Sequence, residues 1–527
     1  MDDHIPVLIV GAGPTGLLMA CELARQGVPF RIIDQKPERT LTANAVAIQT
    51  RTLEMLDNLG IAHQFLKLGH ECKGIQLHQD GKSLARMSFE DLDSNYRFIL
   101  TLPQSETERL LIEHLEELKK EVERPLELVQ FEQQDSGFIC KLKDPNDQIK
   151  IIQCDWLLAC DGAHSKVREL CHIPFPGEDL TEQFMVANTQ MSSFLSNNEL
   201  HLFLNKGNML VAVPFGSHSY RVGANLQQSP RKFLIEKEVK ELIQERSHGD
   251  YDVNSVSWIS PFWIHGKIVN TLRQGSIFLA GDAAHIHSPA GGQGMNTGMQ
   301  DAYNLAWKLA LVIKGLAKPE LLESYQAERH PVVSQIVKRA ERFTKLVITE
   351  NPVLLSLRNL VFKLLNSHPR ISRKVAMRVT QLNIRYKNSP IIYYQDSIHA
   401  QAPRPGERVP DVSIGPNQRL HLHLRTPQHK ALLFTGPNPN EPAWARIKAM
   451  KQWLVQHYSK TLEVFIITAK EVPDMNPIIL DDRDLIHHRF KVHAPAIYLV
   501  RPDNYLAYCS YNLDPAPLKN FLETYLT

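Results

Sequence analysis

A glycine-rich turn near the N-terminus carries the first residues whose spacing suggests chemistry. The run Gly11–Gly16 reads Gly-Ala-Gly-Pro-Thr-Gly and lies between an apolar stretch, Val7–Val10, and a stretch with helical periodicity. In such a turn the first glycine allows a tight bend, the second lets the backbone approach a pyrophosphate, and the third permits close helix–strand packing. The phosphates then lie at the helix N-terminus, where free N–H groups and the helix dipole favour negative charge. The spacing predicts a dinucleotide site formed by Gly11, Gly13, Pro14, Thr15 and Gly16.

A carboxylate about twenty residues further along supports this interpretation. Asp34 follows the predicted strand Phe30–Ile33, where its oxygens can accept hydrogen bonds from the hydroxyls of a ribose. Gln35 is the next residue and is included in the predicted site.

Two further segments place an acidic residue beside a glycine where a predicted strand ends. Asp161 and Gly162 form the first, although a surface Asp-Gly turn explains that dipeptide equally well. Gly281 and Asp282 form the second, after the predicted strand Ser276–Ala280. At that position Asp282 can accept a hydrogen bond from a ribitol hydroxyl.

A glycine-rich loop follows Asp282 and opens a predicted helix. Its N–H groups from Gly294 to Asn296 can face a flavin carbonyl without obstruction by side chains. We expect His285 and His287, which precede the loop, to pack or to donate hydrogen bonds beside it rather than to act as bases. The predicted contacts from the loop are Pro289, Gly292, Gly294, Met295 and Asn296.

These segments, in this order and spacing, resemble the flavoprotein aromatic hydroxylases of the p-hydroxybenzoate hydroxylase superfamily. The runs Gly281–Asn296 and Gln300–Leu309 are most similar to the phenol hydroxylase and pentachlorophenol monooxygenase branch. The resemblance covers nearly the whole chain. It implies an α/β fold, with a Rossmann-type FAD-binding domain, an inserted sheet-rich substrate domain and a C-terminal thioredoxin-like domain. Four more runs match that branch: Tyr325–Pro331, Arg385–Pro390, Pro405–Asp411 and Leu499–Asp503.

The resemblance and the predicted elements together divide the chain into four parts. Alternating residues predict short strands in the substrate part, at His201–Phe203, Met209–Pro214, Tyr220–Ala224 and Val256–Phe262. The predicted parts are an FAD-binding domain (residues 1–75, 103–180 and 270–345), a substrate-binding sheet (76–102 and 181–269), a basic helical segment (346–400) and a thioredoxin-like domain (401–527).

The resemblance also implies roles for individual residues. The glycines of the first turn would hold the FAD pyrophosphate, Asp34 the adenosine ribose and Asp282 the ribitol. Asp161 and Gly162 would serve FAD and, in part, a nicotinamide donor. Gln104 would reach the flavin side of the cofactor. The isoalloxazine ring would be lined by Pro289, through its backbone, and by residues 292–296.

The chemistry that the resemblance implies belongs to the cofactor. FAD would be bound non-covalently, and NAD(P)H would bind only transiently, because the chain has one full dinucleotide fingerprint. Hydride would reduce the flavin, oxygen would add at the flavin C4a position, and the terminal peroxide oxygen would pass to a phenolic or related aromatic ring. An FAD-dependent epoxidase or reductase acting on a non-aromatic lipid or isoprenoid is the alternative.

Two residues depart from the family pattern. Asn44 stands where many relatives have an arginine, and Val46 stands where phenol hydroxylases have an acid. Lys36 or Arg39 could supply the missing positive charge. The group that deprotonates the substrate is therefore left open.

Composition narrows the class of protein further. The chain has 527 residues and a formal net charge of +2, which does not favour nucleic acid as a partner. Its seven cysteines form no Cys-x-x-Cys pair, so we expect no zinc site and no dithiol chemistry. Scattered thiols and the absence of a long apolar run predict a cytoplasmic protein without a transmembrane segment.

One segment has a strongly basic composition. Residues 338–387 carry about a dozen basic and only two acidic side chains. A solvated helical face is the simplest interpretation, with a subunit contact or a membrane-surface contact as alternatives. The C-terminal domain has a single cysteine, Cys509. We expect that domain to serve packing or oligomerisation rather than redox exchange, and a homodimer is left open.

Overall fold

The computed structural model describes residues 4–39, 45–226, 233–288, 291–393, 399–470, 472 and 475–527, apart from the side chains of residues 179–182 and 365. Within these ranges, none of the helices is long and apolar enough to cross a membrane.

The N-terminal part alternates strands and helices, as the glycine-rich turn and the apolar runs predict. Its strands are β1 (His4–Val10), β2 (Phe30–Ile33), β3 (Ala47–Ile48), β4 (His70–Cys72), β5 (Gly74–Gln79), β6 (Lys82–Ser88), β7 (Ile99–Thr101), β8 (Val122–Glu123), β9 (Glu127–Gln133), β10 (Phe138–Lys143) and β11 (Ile149–Ala159). Its helices are α1 (Pro14–Arg25), α2 (Thr50–Asn58), α3 (Ala62–Leu68), α4 (Gln104–Glu117) and α5 (Lys166–Leu170).

The middle of the chain is rich in strands and then returns to helices. Its strands are β12 (Gly177–Ser193), β13 (Glu199–Asn205), β14 (Asn208–Pro214), β15 (Ser219–Leu226), β16 (Tyr251–Ile268), β17 (Arg273–Gln274), β18 (Ile277–Leu279) and β19 (His285–Ile286). Its helices are α6 (Glu236–Arg246), α7 (Gly294–Ile313), α8 (Glu323–Val347), α9 (Pro352–Ser367) and α10 (Pro369–Val379), with short 3-10 turns at Gly281–Ala283 and Pro319–Leu322.

The C-terminal part is a smaller α/β unit. Its five-stranded sheet has the order β24-β23-β22-β25-β26, with β22, β23 and β24 parallel. Its elements are β20 (Ser413–Gly415), β21 (Gln418–Arg419), a 3-10 turn at Leu420–Leu424, β22 (His429–Phe434), α11 (Glu441–Tyr458), β23 (Leu462–Thr468), β24 (Ile478–Leu480), α12 (Leu485–Phe490), β25 (Ala496–Val500), β26 (Leu506–Ser510) and α13 (Pro515–Leu522).

Two eight-stranded sheets lie in the rest of the described chain, beside a three-stranded sheet of order β3-β7-β4. The first large sheet has the order β17-β18-β11-β1-β2-β8; β10 pairs antiparallel with β11, and β9 pairs antiparallel with β10. Strands β18, β11, β1, β2 and β8 are parallel, so their carboxyl ends share one edge. The second sheet has the order β19-β16-β12-β15-β14-β13-β5-β6 and is mainly antiparallel. This arrangement confirms the predicted α/β fold class.

A buried charge network joins the C-terminal unit to the first domain. Glu328 on α8 accepts hydrogen bonds from Lys308 Nζ on α7, at 2.7 Å, and from Arg501 Nη2, at 2.9 Å. Arg501 also pairs with Asp503, and all of these side chains are buried. The two cations hold the pKa of Glu328 well below its usual range, although burial alone would raise that pKa. The carboxylate is therefore charged and ties three segments of the chain together.

Replacing Glu328 with alanine is expected to lower the free energy of unfolding by about 3–5 kcal/mol. The change removes the carboxylate partner of Lys308 and one of the two carboxylate partners of Arg501. Denaturant melts measure the effect. Glu323→Ala, which removes an exposed ion-pair partner on the same helix, is the control and should cost less than about 1 kcal/mol. Equal losses in the two variants would contradict this role for Glu328.

Candidate active site

A crevice lies at the carboxyl ends of the parallel strands. Gly11 follows β1, Asp34 follows β2, Asp161 lies just beyond β11, and Asp282 lies just beyond β18. These four strands are neighbours in the sheet, in the order β18-β11-β1-β2. Open α/β sheets bind ligands in the crevice outside the carboxyl ends of their strands. The fold therefore brings the three predicted segments to one edge.

The glycine turn after β1 is tight on one side and open on the other. Gly11 has a φ of +98°, and a Cβ atom there would lie 2.4 Å from the carbonyl oxygen of Cys160. A Cβ on Gly16 would lie 1.9 Å from the carbonyl oxygen of Gly11. At Gly13, directly before α1, a Cβ would meet no atom within 4 Å. The N-terminus of α1 thus faces an empty space that suits a phosphate group.

Asp34 lies at the edge of this space. Its Oδ2 accepts a hydrogen bond from the backbone N–H of Ala12 at 2.8 Å, and its Oδ1 accepts one from the N–H of Lys36 at 2.9 Å. The next residue, Gln35, is exposed. Arg124 Nη2 lies 3.8 Å from Asp34 Oδ2 and donates to the carbonyl oxygen of Ala12 at 3.0 Å. Arg124 Nε is buried without a hydrogen-bond partner.

Sequence reasoning did not identify Arg124. It follows the edge strand β8, whose Glu123 pairs with Ile33 of β2. A basic residue directly after an edge strand of the parallel sheet was the only signal that could have identified it.

Asp161 has one oxygen engaged and one without a partner. Its Oδ2 accepts a hydrogen bond from the N–H of Val167, at the start of α5, at 3.1 Å. Its Oδ1 is buried without a partner, and burial raises the pKa of this carboxyl group. Gly162 has a φ of +83° and leaves open space where a Cβ would stand.

Asp282 lies in the 3-10 turn Gly281–Ala283. Its side chain is exposed to solvent, and desolvation by the surrounding protein raises the pKa of its carboxyl group. Thr15 of the first glycine turn fills the space beside it, since a Cβ on Gly281 would lie 2.6 Å, and one on Gly298 2.4 Å, from Thr15 Oγ1. This packing joins the first turn to the third segment and to α7.

A buried carboxylate that sequence reasoning did not single out holds the third segment in place. Asp301 Oδ2 accepts hydrogen bonds from the N–H of Gly281 at 3.1 Å and from His285 Nε2 at 2.7 Å. Its Oδ1 accepts one from Arg329 Nε at 2.7 Å. Burial would raise the pKa of Asp301, but Arg329 and His285 outweigh it and lower that pKa. Asp301 and Arg329 stand in runs that carry the family resemblance.

The second histidine of this segment is also buried against the loop. His287 Nδ1 lies 2.8 Å from the carbonyl oxygen of Ser288, and its Nε2 is buried without a partner. Burial lowers the pKa of His287 to about 4, so the ring is neutral at neutral pH.

The glycine-rich loop is held against the strand β3 by Asn296. Its Nδ2 donates to the carbonyl oxygens of Ala47 at 2.8 Å and Gly292 at 2.9 Å, and its Oδ1 accepts from the N–H of Gln49 at 2.8 Å. Gly294 begins α7, and a Cβ there would meet no atom within 4 Å. Met295 is half-buried.

Two of the positions that the family resemblance singles out, Pro289 and Asn44, lie outside the described residues. Val46 is buried. Gln104 begins α4, and its Oε1 accepts a hydrogen bond from the N–H of Ala45 at 3.2 Å, while its Nε2 donates to Glu108 at 2.9 Å.

These features fit an FAD molecule. Two helix N-termini, those of α1 and α7, face open space beside glycines. One suits the pyrophosphate and the other the carbonyl edge of the isoalloxazine ring. Asp34, Asp161 and Asp282 supply acceptors at the same edge of the sheet, and one buried oxygen of Asp161 is unpartnered.

A polar row crosses the second sheet on the face toward this crevice. The strand register aligns Val213 on β14, Arg221 on β15, Asn188 on β12 and Trp258 on β16. Arg221 Nε donates to Asn188 Oδ1 at 2.6 Å, and its guanidinium carbon lies 5.1 Å from the centre of the Trp258 ring. Directly opposed residues share a face of the sheet. The buried guanidinium of Arg221 is thus held by a hydrogen bond and an aromatic ring.

The same face packs against the glycine-rich loop and α10. Val213 belongs to an apolar cluster with Ala47 and Val379. Ala47 bonds to Asn296, and Gln293 Nε2 donates to the carbonyl oxygen of Val379 at 3.2 Å. The row of side chains on the second sheet therefore lies beside the glycine-rich loop and α10.

One group of side chains in the described part of the chain has the spacing of a metal site. Potential ligand atoms of Asp481, Asp484 and His487 lie within 4.8 Å of one another. The Asp481 carboxylate already accepts hydrogen bonds from the N–H of Ile486 at 3.1 Å and from the N–H and Nδ1 of His487 at 2.9 and 2.8 Å. We interpret this group as a cap on α12.

Comparison with known proteins identifies the relatives of this chain. A family model described as an FAD binding domain matches residues 4–340. Pentachlorophenol 4-monooxygenase of Sphingobium chlorophenolicum is 31% identical over 421 residues, which are 79% of this chain and 77% of the relative. The 6-methylpretetramide 4-monooxygenase of Streptomyces rimosus is 31% identical over 519 residues, or 96% and 90% of the two chains.

Solved structures agree with the sequence comparison. The anhydrotetracycline hydroxylase OxyS from Streptomyces rimosus superposes with a TM-score of 0.77 at 26% identity, covering 99% of each chain. Aklavinone-11 hydroxylase, solved with FAD and aklavinone, superposes with a TM-score of 0.79 at 22% identity, also over 99% of each chain, and shares the fold. The chain therefore belongs to the FAD-binding domain family, among the FAD-dependent monooxygenases of aromatic compounds.

Proposed function

We propose that this protein uses NAD(P)H and O2 to hydroxylate a phenolic or related aromatic ring. The observation that carries the proposal is that the fold brings the first glycine turn, Asp34, Asp161 and Asp282 to one edge of the parallel sheet. Bound FAD would supply the hydride acceptance and oxygen transfer. The protein's own residues would hold the cofactor, position the ring and exclude water.

The cofactor would lie along the edge of the parallel sheet. Asp34 would accept hydrogen bonds from the adenosine ribose, with Arg124 beside it. The N-terminus of α1 at Gly13 would face the pyrophosphate. Asp282 would accept from the ribitol, and the N-terminus of α7 at Gly294 would face the isoalloxazine. Non-covalent binding is proposed because every one of these contacts is a hydrogen bond or a dipole interaction.

The nicotinamide donor would bind only transiently. The parallel sheet supplies one helix N-terminus beside a glycine fingerprint, and that place is taken by the FAD pyrophosphate in this proposal. The unpartnered oxygen of Asp161 lies along the same edge and suits either cofactor.

The substrate ring would lie between the glycine-rich loop and the second sheet. Burial lowers the pKa of Arg221 to about 10, so the guanidinium remains charged at neutral pH. A buried cation on the face toward the glycine-rich loop favours a substrate oxygen that is anionic or strongly polarised, such as a phenolate or an enolised ketone. Trp258 and Asn188 hold the guanidinium in place. The favoured substrate is therefore an aromatic compound with an acidic oxygen.

Stimulation of NAD(P)H oxidation by aromatic ligands tests the proposed activity. The purified FAD-loaded protein is mixed with NADH or NADPH and a panel of phenols, with methyl ethers of the same rings as matched neutral compounds. We expect at least one phenol to accelerate oxidation of the donor, and its ether to do so less. Equal rates with and without every ligand of the panel would count against an aromatic substrate.

Asp282→Ala is expected to weaken FAD binding about tenfold to a hundredfold, because a hydrogen bond to a charged acceptor contributes roughly 1.5–3 kcal/mol. The unfolding midpoint of the apo-protein should barely change, since Asp282 is exposed. Titration of apo-protein with FAD and denaturant melts provide the two readouts.

Asp301→Asn is the matched contrast for this experiment. It leaves Arg329 as a buried cation without its carboxylate, so the apo-protein should lose several kcal/mol of stability. If Asp282→Ala instead lowers the apo midpoint and leaves the FAD affinity unchanged, Asp282 is a local structural residue and not a cofactor contact.

Arg221→Gln is expected to raise the KM for the stimulating phenol about tenfold to a hundredfold, because a charge-assisted hydrogen bond is lost. Arg221→Lys, which keeps the charge, should restore part of the affinity. The methyl ether of the same ring serves as the control, and its KM should change little. A similar rise in KM for the phenol and its ether would show that Arg221 acts only through the structure of the sheet.

A further inference from the structure

Helix α9 presents an apolar stripe away from the rest of the molecule. At 3.6 residues per turn its exposed apolar side chains fall within about a third of the helix circumference. The opposite side carries Phe362, which packs against the second sheet, and the buried Arg358. The stripe consists of Val353, Leu354, Leu357, Leu360, Val361 and Leu364, whose exposed fractions range from 41% to 75%.

Exposed apolar residues scattered singly are ordinary on a protein surface, but a continuous stripe is not. The six residues lie on consecutive turns of one helix, so they form a single patch. Ile371, at the start of α10, is a further exposed apolar residue, at 45%. Contiguous patches of this kind mark surfaces that contact another molecule or a lipid phase.

From residue 351 onward, the chain segment that carries the stripe holds charges of one sign. Residues 351–395 contain no aspartate or glutamate. Lys363 on α9 is exposed, and α10 exposes Arg370, Lys374 and Arg378. Arg373 is not part of this basic surface, because it lines a groove of about 310 Å³ together with Arg86 and Asp91.

The two helices are joined by one residue, so the basic residues of α10 follow the apolar stripe of α9 closely along the chain. Helix α9 ends at Ser367 and α10 begins at Pro369. An apolar face bordered by lysine and arginine is the pattern of a helix that lies in the plane of a membrane interface, with its apolar side chains among the acyl chains. Negative headgroups would neutralise the basic residues.

We infer that α9 and α10 form a docking surface for anionic phospholipid membranes. The apolar stripe of α9 inserts at the headgroup boundary, while Lys363, Arg370, Lys374 and Arg378 contact the negative headgroups. The protein lies on the membrane surface, in keeping with the absence of a spanning helix among the described residues.

Charge favours an anionic membrane, rather than a second copy of the chain, as the partner of this surface. In a two-fold dimer the same patch of each copy faces the other. The basic residues of both copies would then approach one another, and residues 351–395 offer no carboxylate to neutralise them. Like charges placed together across an interface oppose association. An anionic bilayer has the complementary charge.

Flotation with lipid vesicles tests the inference directly. The FAD-loaded wild-type protein is mixed with vesicles of phosphatidylcholine alone, or of equal parts phosphatidylcholine and phosphatidylglycerol. We expect binding to the anionic vesicles and at least about tenfold weaker binding to the neutral ones, because each basic residue near an anionic surface contributes about a fivefold gain. Added salt should weaken the binding to anionic vesicles.

Two variants separate the apolar and the charged contributions. Leu357→Gln/Leu360→Gln/Leu364→Gln should weaken binding to anionic vesicles by about a hundredfold or more, because three leucines no longer gain from burial. Lys363→Gln/Arg370→Gln/Lys374→Gln should bring the affinity for anionic vesicles close to that for neutral ones.

The control removes three exposed apolar side chains elsewhere on the molecule. Ile149→Gln/Ile151→Gln/Val455→Gln replaces residues with similar exposure on β11 and α11, and it should leave vesicle binding unchanged. Circular dichroism and flavin content check that all variants fold.

Two results would overturn the inference. One is wild-type protein that fails to float with anionic vesicles. The other is a leucine variant that binds as the control does. If sedimentation also shows a dimer that the leucine variant alone loses, the stripe is an interface between copies of this chain.

Discussion

The site depends on one buried carboxylate, that of Asp301. It accepts hydrogen bonds from Gly281, at the end of β18, and from His285, and it pairs with Arg329 on α8. Because Asp301 itself lies on α7, these bonds fix the turn that carries Asp282 against the helix whose N-terminus faces the crevice. A charge buried this deeply is tolerated only with its partners in place. The geometry of the turn, the loop and the helix is therefore set together.

A second buried carboxylate, that of Glu328, holds the C-terminal domain in place in the same way. It lies one residue before Arg329 on α8 and binds Lys308 of α7 and Arg501 of the last domain. Helix α8 thus binds α7 beside the crevice through Arg329, and it binds the C-terminal unit through Glu328. Cys509 of that unit is buried, and burial raises the pKa of its thiol.

The fold class and the family were predictable because their signals are local. Gly11, Asp34 and Gly281 each directly follow an apolar run, and the comparisons confirm the family. The inserted sheet was less predictable. Strand β12 was missed, and β16 runs from Tyr251 to Ile268 although only Val256–Phe262 was predicted. Both strands are stabilised by pairing with each other rather than by local alternation. Arg221 and Arg124 were missed because their partners are distant in sequence.

We propose that the crevice and the second sheet enclose a site where an oxygen atom from O2 enters an aromatic ring. Mass spectrometry of the product formed under isotopically labelled dioxygen tests it most directly, using FAD-loaded protein, NAD(P)H and a phenol that stimulates oxidation of the donor. We expect a product that carries one labelled oxygen atom on the ring. Consumption of the donor that yields only hydrogen peroxide with every such phenol, or a product whose new oxygen comes from water, would contradict it.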